Sequence, residues 1–165
     1  MTLDRLWAGW RSEYISGVAT QPPVGECLFC GLQQLDDADA MILERTEHTF
    51  TVMNAYPYIS GHVMVAPRRH EATLVGLSAD EAAAVMHATQ GVTVALEAVY
   101  RPDGINVGAN IGRAAGAGIP GHVHVHVLPR WNGDTNFMTT VAEARVLPEN
   151  LRASYEKLRS AWPAT

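Results

Sequence analysis

This sequence predicts an α+β fold, an antiparallel sheet of about five strands with one long helix and a carboxy-terminal helix. Three observations carry that expectation. Short apolar stretches recur along the chain, joined by turns too brief for crossover helices. One long segment with apolar residues at helical spacing separates two groups of these stretches. The stretch "GHVHVHVLPR", residues 121–130, alternates histidine with valine, so it reads as a strand with imidazoles on one face and apolar side chains on the other.

The elements follow in order. Residues 1–20 read as an aromatic-rich arm with one short helical turn, and "QPPVGE" breaks regularity before "CLFC". "MILERTEHTFTVMNAYP" gives two short strands, the second ending near Asn54 before a turn at Pro57. "GHVMVAPRRH" gives a third, with Val63, Val65 and Pro67 on one side. Ser78-Ala79-Asp80-Glu81 is a capping box, in which serine and glutamate satisfy backbone donors at a helix start. Val85, Thr89, Val92, Leu96 and Val99 then form one stripe, until Pro102-Asp103-Gly104 ends the helix. "INVGAN" is a fourth strand, and the Gly/Ala-rich "IGRAAGAGIPG" leads directly into the histidine strand. Pro148 opens a last helix carrying Leu151, Tyr155 and Leu158.

Composition excludes several classes. A chain of 165 residues suits one domain with one core, with no repeat and no linker. No apolar run approaches the roughly 20 residues that cross a bilayer, so no membrane partner is expected. The start "MTLDRLWAGWRSEYI" mixes charges with tryptophans and is unlike a secretory signal, so a cytoplasmic protein is expected. A net charge of −5 argues against nucleic acid as a partner. It leaves room for a small phosphorylated ligand, held by backbone amides and a few cations. Two cysteines, Cys27 and Cys30, are too few for a disulfide scaffold.

The histidines carry the chemistry. On a straight strand at about 3.3 Å per residue, His122 and His126 have α-carbons roughly 13 Å apart. One metal ion, needing nitrogens at about 2.0–2.1 Å, does not suit all three. An extended anion such as a polyphosphate does suit such a row. A neutral imidazole is a nucleophile near neutral pH, and a protonated neighbour can hold charge on a leaving oxygen. The small residues of the preceding loop let backbone N–H groups approach phosphate, with Arg113 as a nearby cation. The plain alternative is a surface strand of solvated histidines. The spacing of Cys27 and Cys30 can hold half of a tetrahedral zinc site. A catalytic dithiol lacks its βαβ context, and two buried core thiols remain the plain alternative. His87 reads as a helix-surface residue. Arg68 and Arg69 can reach phosphate or occupy a solvated turn. Trp7, Trp10 and Trp131 can stack a base, or pack in the core or a dimer.

"HVHVHVL" matches the His-φ-His-φ-His-φ-φ signature of the histidine triad (HIT) superfamily, which acts on nucleoside phosphates. "VMNAYPYISGHVMVAPRRH", "PRWNGDTNFM" and "RLWAGWRSEYI" resemble its diadenosine tetraphosphate phosphorylase-like bacterial branch, over nearly the whole chain. The resemblance implies a HIT-like fold that dimerises through its sheets. It divides the single HIT-type domain into an arm (1–24), a catalytic core (25–130) and a terminal loop and helix (131–165). It implies that His124 attacks the α-phosphorus of a dinucleoside polyphosphate and forms a nucleotidyl-histidine, while His126 contacts phosphate and assists the leaving group. Asn54 matches the residue that binds ribose hydroxyls, Asn110 a phosphate-side asparagine, and His62 a histidine near the site. Gly116 and Gly118 fall in the phosphate-binding loop, and Asn132, Asp134 and Asn136 are placed toward a second nucleotide. A structural zinc ion is implied on Cys27, Cys30, His70 and His122, with His48 as a spare ligand. Many hydrolase members carry Gln four residues before the triad where this chain has Gly118. That change opens space for inorganic phosphate as acceptor, hence phosphorolysis. The alternatives are hydrolysis of dinucleoside polyphosphates or nucleoside phosphoramidates, and a nucleotide sensor without turnover.

Overall fold

A computed structural model of the chain describes residues 27–134 and 147–163. The expected arm, with Trp7 and Trp10, and Asn136 lie outside these residues. Two short helices come first, α1 (Leu28–Leu32) and α2 (Asp37–Ala40), then β1 (Ile42–Arg45), β2 (Thr49–Met53) and β3 (Val63–Pro67). The long helix α3 (Ala79–Tyr100) precedes β4 (Gly104–Gly108), a 3-10 turn (Arg113–Ala115), β5 (Val125–Arg130) and α4 (Leu151–Ser160). The five strands lie in the order β1-β2-β3-β5-β4, and every neighbouring pair is antiparallel. This is the expected α+β architecture.

Each face of the sheet has its own cover. On one side Val85, Ala88, Val92, Ala95 and Leu96 of α3 pack with Val63, Val65 and Val127, joined by Leu151, Tyr155 and Leu158 of α4. Burying one such valine or leucine contributes roughly 1.5–3 kcal/mol. The stripe therefore outweighs the capping box, worth about 1 kcal/mol, though the box decides where α3 starts. In it the Glu81 N–H donates to Ser78 Oγ at 3.1 Å, and the Ser78 N–H donates to Glu81 Oε2 at 2.8 Å. Arg101 ends α3 in the left-handed conformation at φ 46°, directly before Pro102. On the other side a smaller cluster of Phe29, Ile42, Phe50, Val52, Met64 and Ala66 lies beneath α1 and α2.

Three local expectations are corrected. The ladder of the histidine strand begins at Val125, so only His126 of the three histidines lies within it. Continuing the Val65–Val125 register would set Pro67 opposite Val123, and Pro67 has no N–H to donate. The Val123 N–H turns instead to the Glu71 carbonyl at 2.6 Å. β4 ends at Gly108, which leaves Asn110 in the following loop. Pro148 precedes α4 rather than opening it, because the N-cap is Asn150, whose side chain accepts from the Ala153 N–H at 2.8 Å.

Candidate active site and metal centre

The period-two alternation survives the loss of ladder bonds. His126 pairs with Met64 and shares its face, away from α3, whereas Val127 packs among the α3 side chains. His122 and His124 are 0% and 4% exposed, so the solvated-strand alternative does not hold. The Phe29 ring lies 5.2 Å from His122 and 4.8 Å from His124. The His124 and His126 rings are 4.8 Å apart. Buried imidazoles are tolerated because each finds a hydrogen-bonding partner.

Those partners also determine where the protons are. A carbonyl only accepts, so the 2.8 Å contact between His124 Nδ1 and the His122 carbonyl places a proton on Nδ1. In the neutral ring, Nε2 then keeps its lone pair, and it has no hydrogen-bonding partner among the described residues. A second chain starts at a backbone donor. The Tyr58 N–H donates to His62 Nδ1 at 3.2 Å, so the proton of neutral His62 is on Nε2. His62 Nε2 donates in turn to His126 Nδ1 at 2.9 Å. His126 therefore carries its proton on Nε2. One ring offers a lone pair and its neighbour offers a proton, both set by backbone groups.

Burial lowers the pKa of all four rings, and neighbouring imidazoles lower three of them further. His62, fully buried and beside His126 and His124, is pushed down to about 3. His126 falls to about 4 through burial and then His124. His124 is lowered by burial, against the opposing pull of the His122 carbonyl, and His122 is lowered as well. A ring neutral in the fold but protonated when unfolded takes up a proton on unfolding, so stability must fall with pH. The contribution is whole above the unfolded value of about 6.5 and is lost as pH falls toward the folded values. The lowered carboxylates Glu71, Glu81 and Glu149 act only below about 4.5. The expected outcome is a melting temperature that drops between pH 6.5 and 4.5, with a shallower slope in His62→Gln. A flat profile over that window contradicts the neutral-ring assignment.

Beyond His124 the row ends in a different cluster. Ligand atoms of Cys27, Cys30, His70 and His122 all lie within 4.8 Å of one another. Cys27 Sγ is 3.3 Å and Cys30 Sγ 3.8 Å from His122 Nδ1, and Cys30 Sγ is 3.4 Å from His70 Nδ1. Zinc bonds of about 2.3 Å to sulfur and about 2.0–2.1 Å to nitrogen, at tetrahedral angles, set ligand atoms roughly 3.3–3.8 Å apart. The residues fit. His122 Nε2 donates to the Pro67 carbonyl at 2.8 Å, which leaves the lone pair on Nδ1, facing the cysteines. Burial, followed by the Cys27 thiol, raises the Cys30 pKa; a cation between the sulfurs reverses that pressure. These four residues could form a metal site. The spare ligand His48 is not among them.

Residues 36–133 match the HIT domain. The chain belongs to the HIT family. It is 36% identical to an AP-4-A phosphorylase of Mycobacterium tuberculosis, over 97% of this chain and 85% of that protein. A Zn-bound histidine triad family protein from Mycobacterium smegmatis has a similar fold, with a TM-score of 0.67 and 28% identity, covering 82% of this chain and 92% of that one. A hypothetical histidine triad nucleotide-binding protein from Sulfolobus tokodaii aligns with a TM-score of 0.66 and 25% identity, covering 82% and 91% of the two chains.

Within this HIT domain the remaining candidates separate. Asn54 is buried beside His62, with Nδ2 3.3 Å from His62 Nδ1, and its Oδ1 accepts from the Tyr56 N–H at 2.9 Å. It thus also holds the turn that carries Tyr58. Asn110 is half-buried and makes no side-chain hydrogen bond among the described residues. The Gly116 N–H is spent on the Arg113 carbonyl at 3.0 Å, and its φ of +87° serves the turn. Gly118 is exposed, and a side chain there would meet nothing within 4 Å. His87 is exposed on α3, as expected. Arg69 does more than sit in solvent, since it bonds both oxygens of Glu81 at 2.8 Å and so ties the His70 segment to the start of α3. Arg113 is exposed, and Trp131 packs edge-on against Tyr100 with ring centroids 6.2 Å apart. Asp134 is paired with Arg130 at 2.6 Å.

Sequence reasoning passed over three residues of the site. Gly108 lies directly across from His126 on β4, and a Cβ there would meet nothing within 4 Å. The sequence carried little signal for it, because Gly108 ends β4 rather than interrupting it and its place opposite His126 is set by register. Phe29 and Tyr58, which flank the imidazole row at opposite ends, carried no signal of their own.

Proposed function

We propose that this chain is a nucleotidyltransferase that cleaves dinucleoside polyphosphates such as diadenosine tetraphosphate at the α-phosphate, through a nucleotidyl-histidine on His124. The observation that carries this reading is the opposed proton placement of two adjacent rings, a lone pair on His124 Nε2 and a proton on His126 Nε2. The 36% identity to an AP-4-A phosphorylase supports the substrate class.

In the first step the His124 Nε2 lone pair forms a bond to the α-phosphorus while the bridging P–O bond breaks. The departing oxygen keeps that bonding pair and accepts a hydrogen bond from His126 Nε2–H. The ring of His124 becomes cationic, and the His122 carbonyl at its Nδ1–H stabilises that charge. In the second step an oxygen of orthophosphate attacks the same phosphorus, the P–N bond breaks, and its electron pair returns to Nε2. Diadenosine tetraphosphate plus orthophosphate thus gives ADP plus ATP. The absence of a side-chain amide at Gly118 is the sequence feature that favours phosphate as the acceptor. Asn110, Gly116 and Gly118 are assigned to the phosphate side, and Asn54, with His62, to the ribose end.

Cys27, Cys30, His70 and His122 would hold zinc. Four protein ligands make it a closed site, and its contribution when bound is a cross-link between α1, the end of β3 and the start of the histidine segment. A homodimer joined through its sheets is part of the same proposal. β4 is an exposed edge with Val107 51% exposed, which supports pairing there. Among the described residues no helix is long and apolar enough to cross a membrane.

Product analysis with and without orthophosphate tests the reaction. ADP and ATP that form only when phosphate is supplied are the expected result. AMP formed in its absence supports the hydrolytic alternative, and binding with no turnover under either condition supports a sensor.

A further inference from the structure

We infer that Cys27 and Cys30 are a peroxide-sensitive pair, whose oxidation to a disulfide dismantles the proposed metal site and slows the proposed reaction at His124. This switch rests on both proposals and adds a modification that regulates them. The pair is placed for it. Cys27 is the N-cap of α1 and Cys30 lies on its first turn, which the Gly31 N–H closes by donating to the Cys27 carbonyl at 3.0 Å. Both thiols are free and half-buried, open to a small oxidant, and their sulfurs lie within 4.8 Å of each other. Helix residues three apart have β-carbons about 5–6 Å apart, and a disulfide asks for about 3.5–4.5 Å. The five-residue α1 must therefore tighten, and Phe29 is its one buried side chain.

The chemistry needs only a peroxide. One thiolate attacks a peroxide oxygen, the O–O bond breaks, and the sulfur becomes a sulfenic acid as water leaves. The other thiolate attacks that sulfur, the S–O bond breaks, and a second water leaves. Two thiolates, two protons and one hydrogen peroxide thus give one disulfide and two waters, with two electrons passing from sulfur to oxygen. A disulfide sulfur is neither a thiolate that can hold a metal nor a thiol that can donate a hydrogen bond. His122 registers both losses. Its Nε2 donates to the Pro67 carbonyl, so the lone pair is on Nδ1, which faces Cys27 Sγ at 3.3 Å and Cys30 Sγ at 3.8 Å. His122 is 0% exposed, so water does not replace them, and oxidation leaves a buried acceptor without a donor. The carbonyl of this same residue sets the proton on His124 Nδ1. Phe29 adds a second route, since its ring lies 4.8 Å from that of His124 and follows the tightening of α1.

The test treats zinc-loaded wild type with hydrogen peroxide, then with dithiothreitol and zinc. Peptide mapping follows a Cys27–Cys30 disulfide, a chelating dye the released zinc, and product formation from diadenosine tetraphosphate with orthophosphate the turnover. The disulfide is expected to form as zinc is released, with kcat falling roughly 10-fold, within the roughly 100-fold that a 1 Å misplacement can cost. Dithiothreitol with zinc restores kcat, which oxidation of methionine would not allow. A Cys27→Ser/Cys30→Ser double variant, whatever its remaining kcat, shows no loss that dithiothreitol reverses. Thiols that yield no mutual disulfide, or a disulfide that leaves kcat unchanged, overturn the inference. A reduced wild type that consumes no diadenosine tetraphosphate defeats the proposed reaction instead, and one that takes up no zinc defeats the proposed metal site. In either case the disulfide and the melting temperature, which should fall on oxidation and recover with dithiothreitol, still decide the switch.

Discussion

His124→Asn is expected to lower kcat by at least on the order of 10³-fold while nucleotide affinity stays within a few-fold. Asparagine is the informative choice. Its amide N–H can still donate to the His122 carbonyl, which His124 Nδ1 meets at 2.8 Å, so the backbone turn before β5 keeps its partner. What disappears is the lone pair that would bond to phosphorus. His126→Asn removes hydrogen bonding to the leaving oxygen instead, and its loss should be smaller, about 10²-fold or more. A nucleotidyl adduct seen by intact mass in the wild type after brief mixing with substrate, and absent from His124→Asn, ties the loss to covalent chemistry. Undiminished turnover in His124→Asn would falsify the mechanism outright. The ordering of the two variants matters as well, because a sensor that only binds has no reason to treat the two rings differently.

The strand alternation, the capping box and the helical stripe were legible because each depends on local spacing. Val85, Val92 and Leu96 are buried on α3 as their period requires. The face of the imidazole row was equally plain, since side chains two residues apart point the same way whether or not the ladder is complete. The proton positions were not legible. They depend on the Tyr58 N–H and the His122 carbonyl, backbone groups whose direction no side-chain pattern encodes. The early end of the ladder was half legible. Pro67 was in view, but its partner across the sheet is a matter of register, and register is set by how β3 meets β5. For the cysteine pair, spacing indicated half of a metal site. The other half, His70 and His122, came from the resemblance rather than from spacing, and the fold sets both beside the sulfurs. Phe29 could not be placed from sequence at all, because an aromatic between two cysteines reads the same whether it meets core or catalytic ring.

Removing zinc from the proposed metal site is expected to loosen His124, the proposed nucleophile, as well as the fold. Cys27→Ser should abolish the roughly one zinc ion per chain expected from four protein ligands. It should also lower stability by about 3 kcal/mol, the scale for breaking a buried polar centre. In a chain of this size that corresponds to a fall of about 6–12 °C in melting temperature. Zinc held there would cross-link segments far apart in sequence, and His122, one of the four residues that would hold it, is 0% exposed, so the loss cannot be confined to the surface. Phe29 carries the consequence to the chemistry. It sits between the two cysteines, and its ring meets both His122 and His124, so a slack cysteine segment releases the ring that packs against His124. Chelation of the wild type should therefore reduce kcat together with melting temperature, and zinc added back should restore both. Wild-type protein that melts at the same temperature with and without its metal, and turns over equally in both states, would contradict the cross-link. If stability fell while kcat held, the metal would brace the fold alone, and Phe29 would have no part in orienting His124.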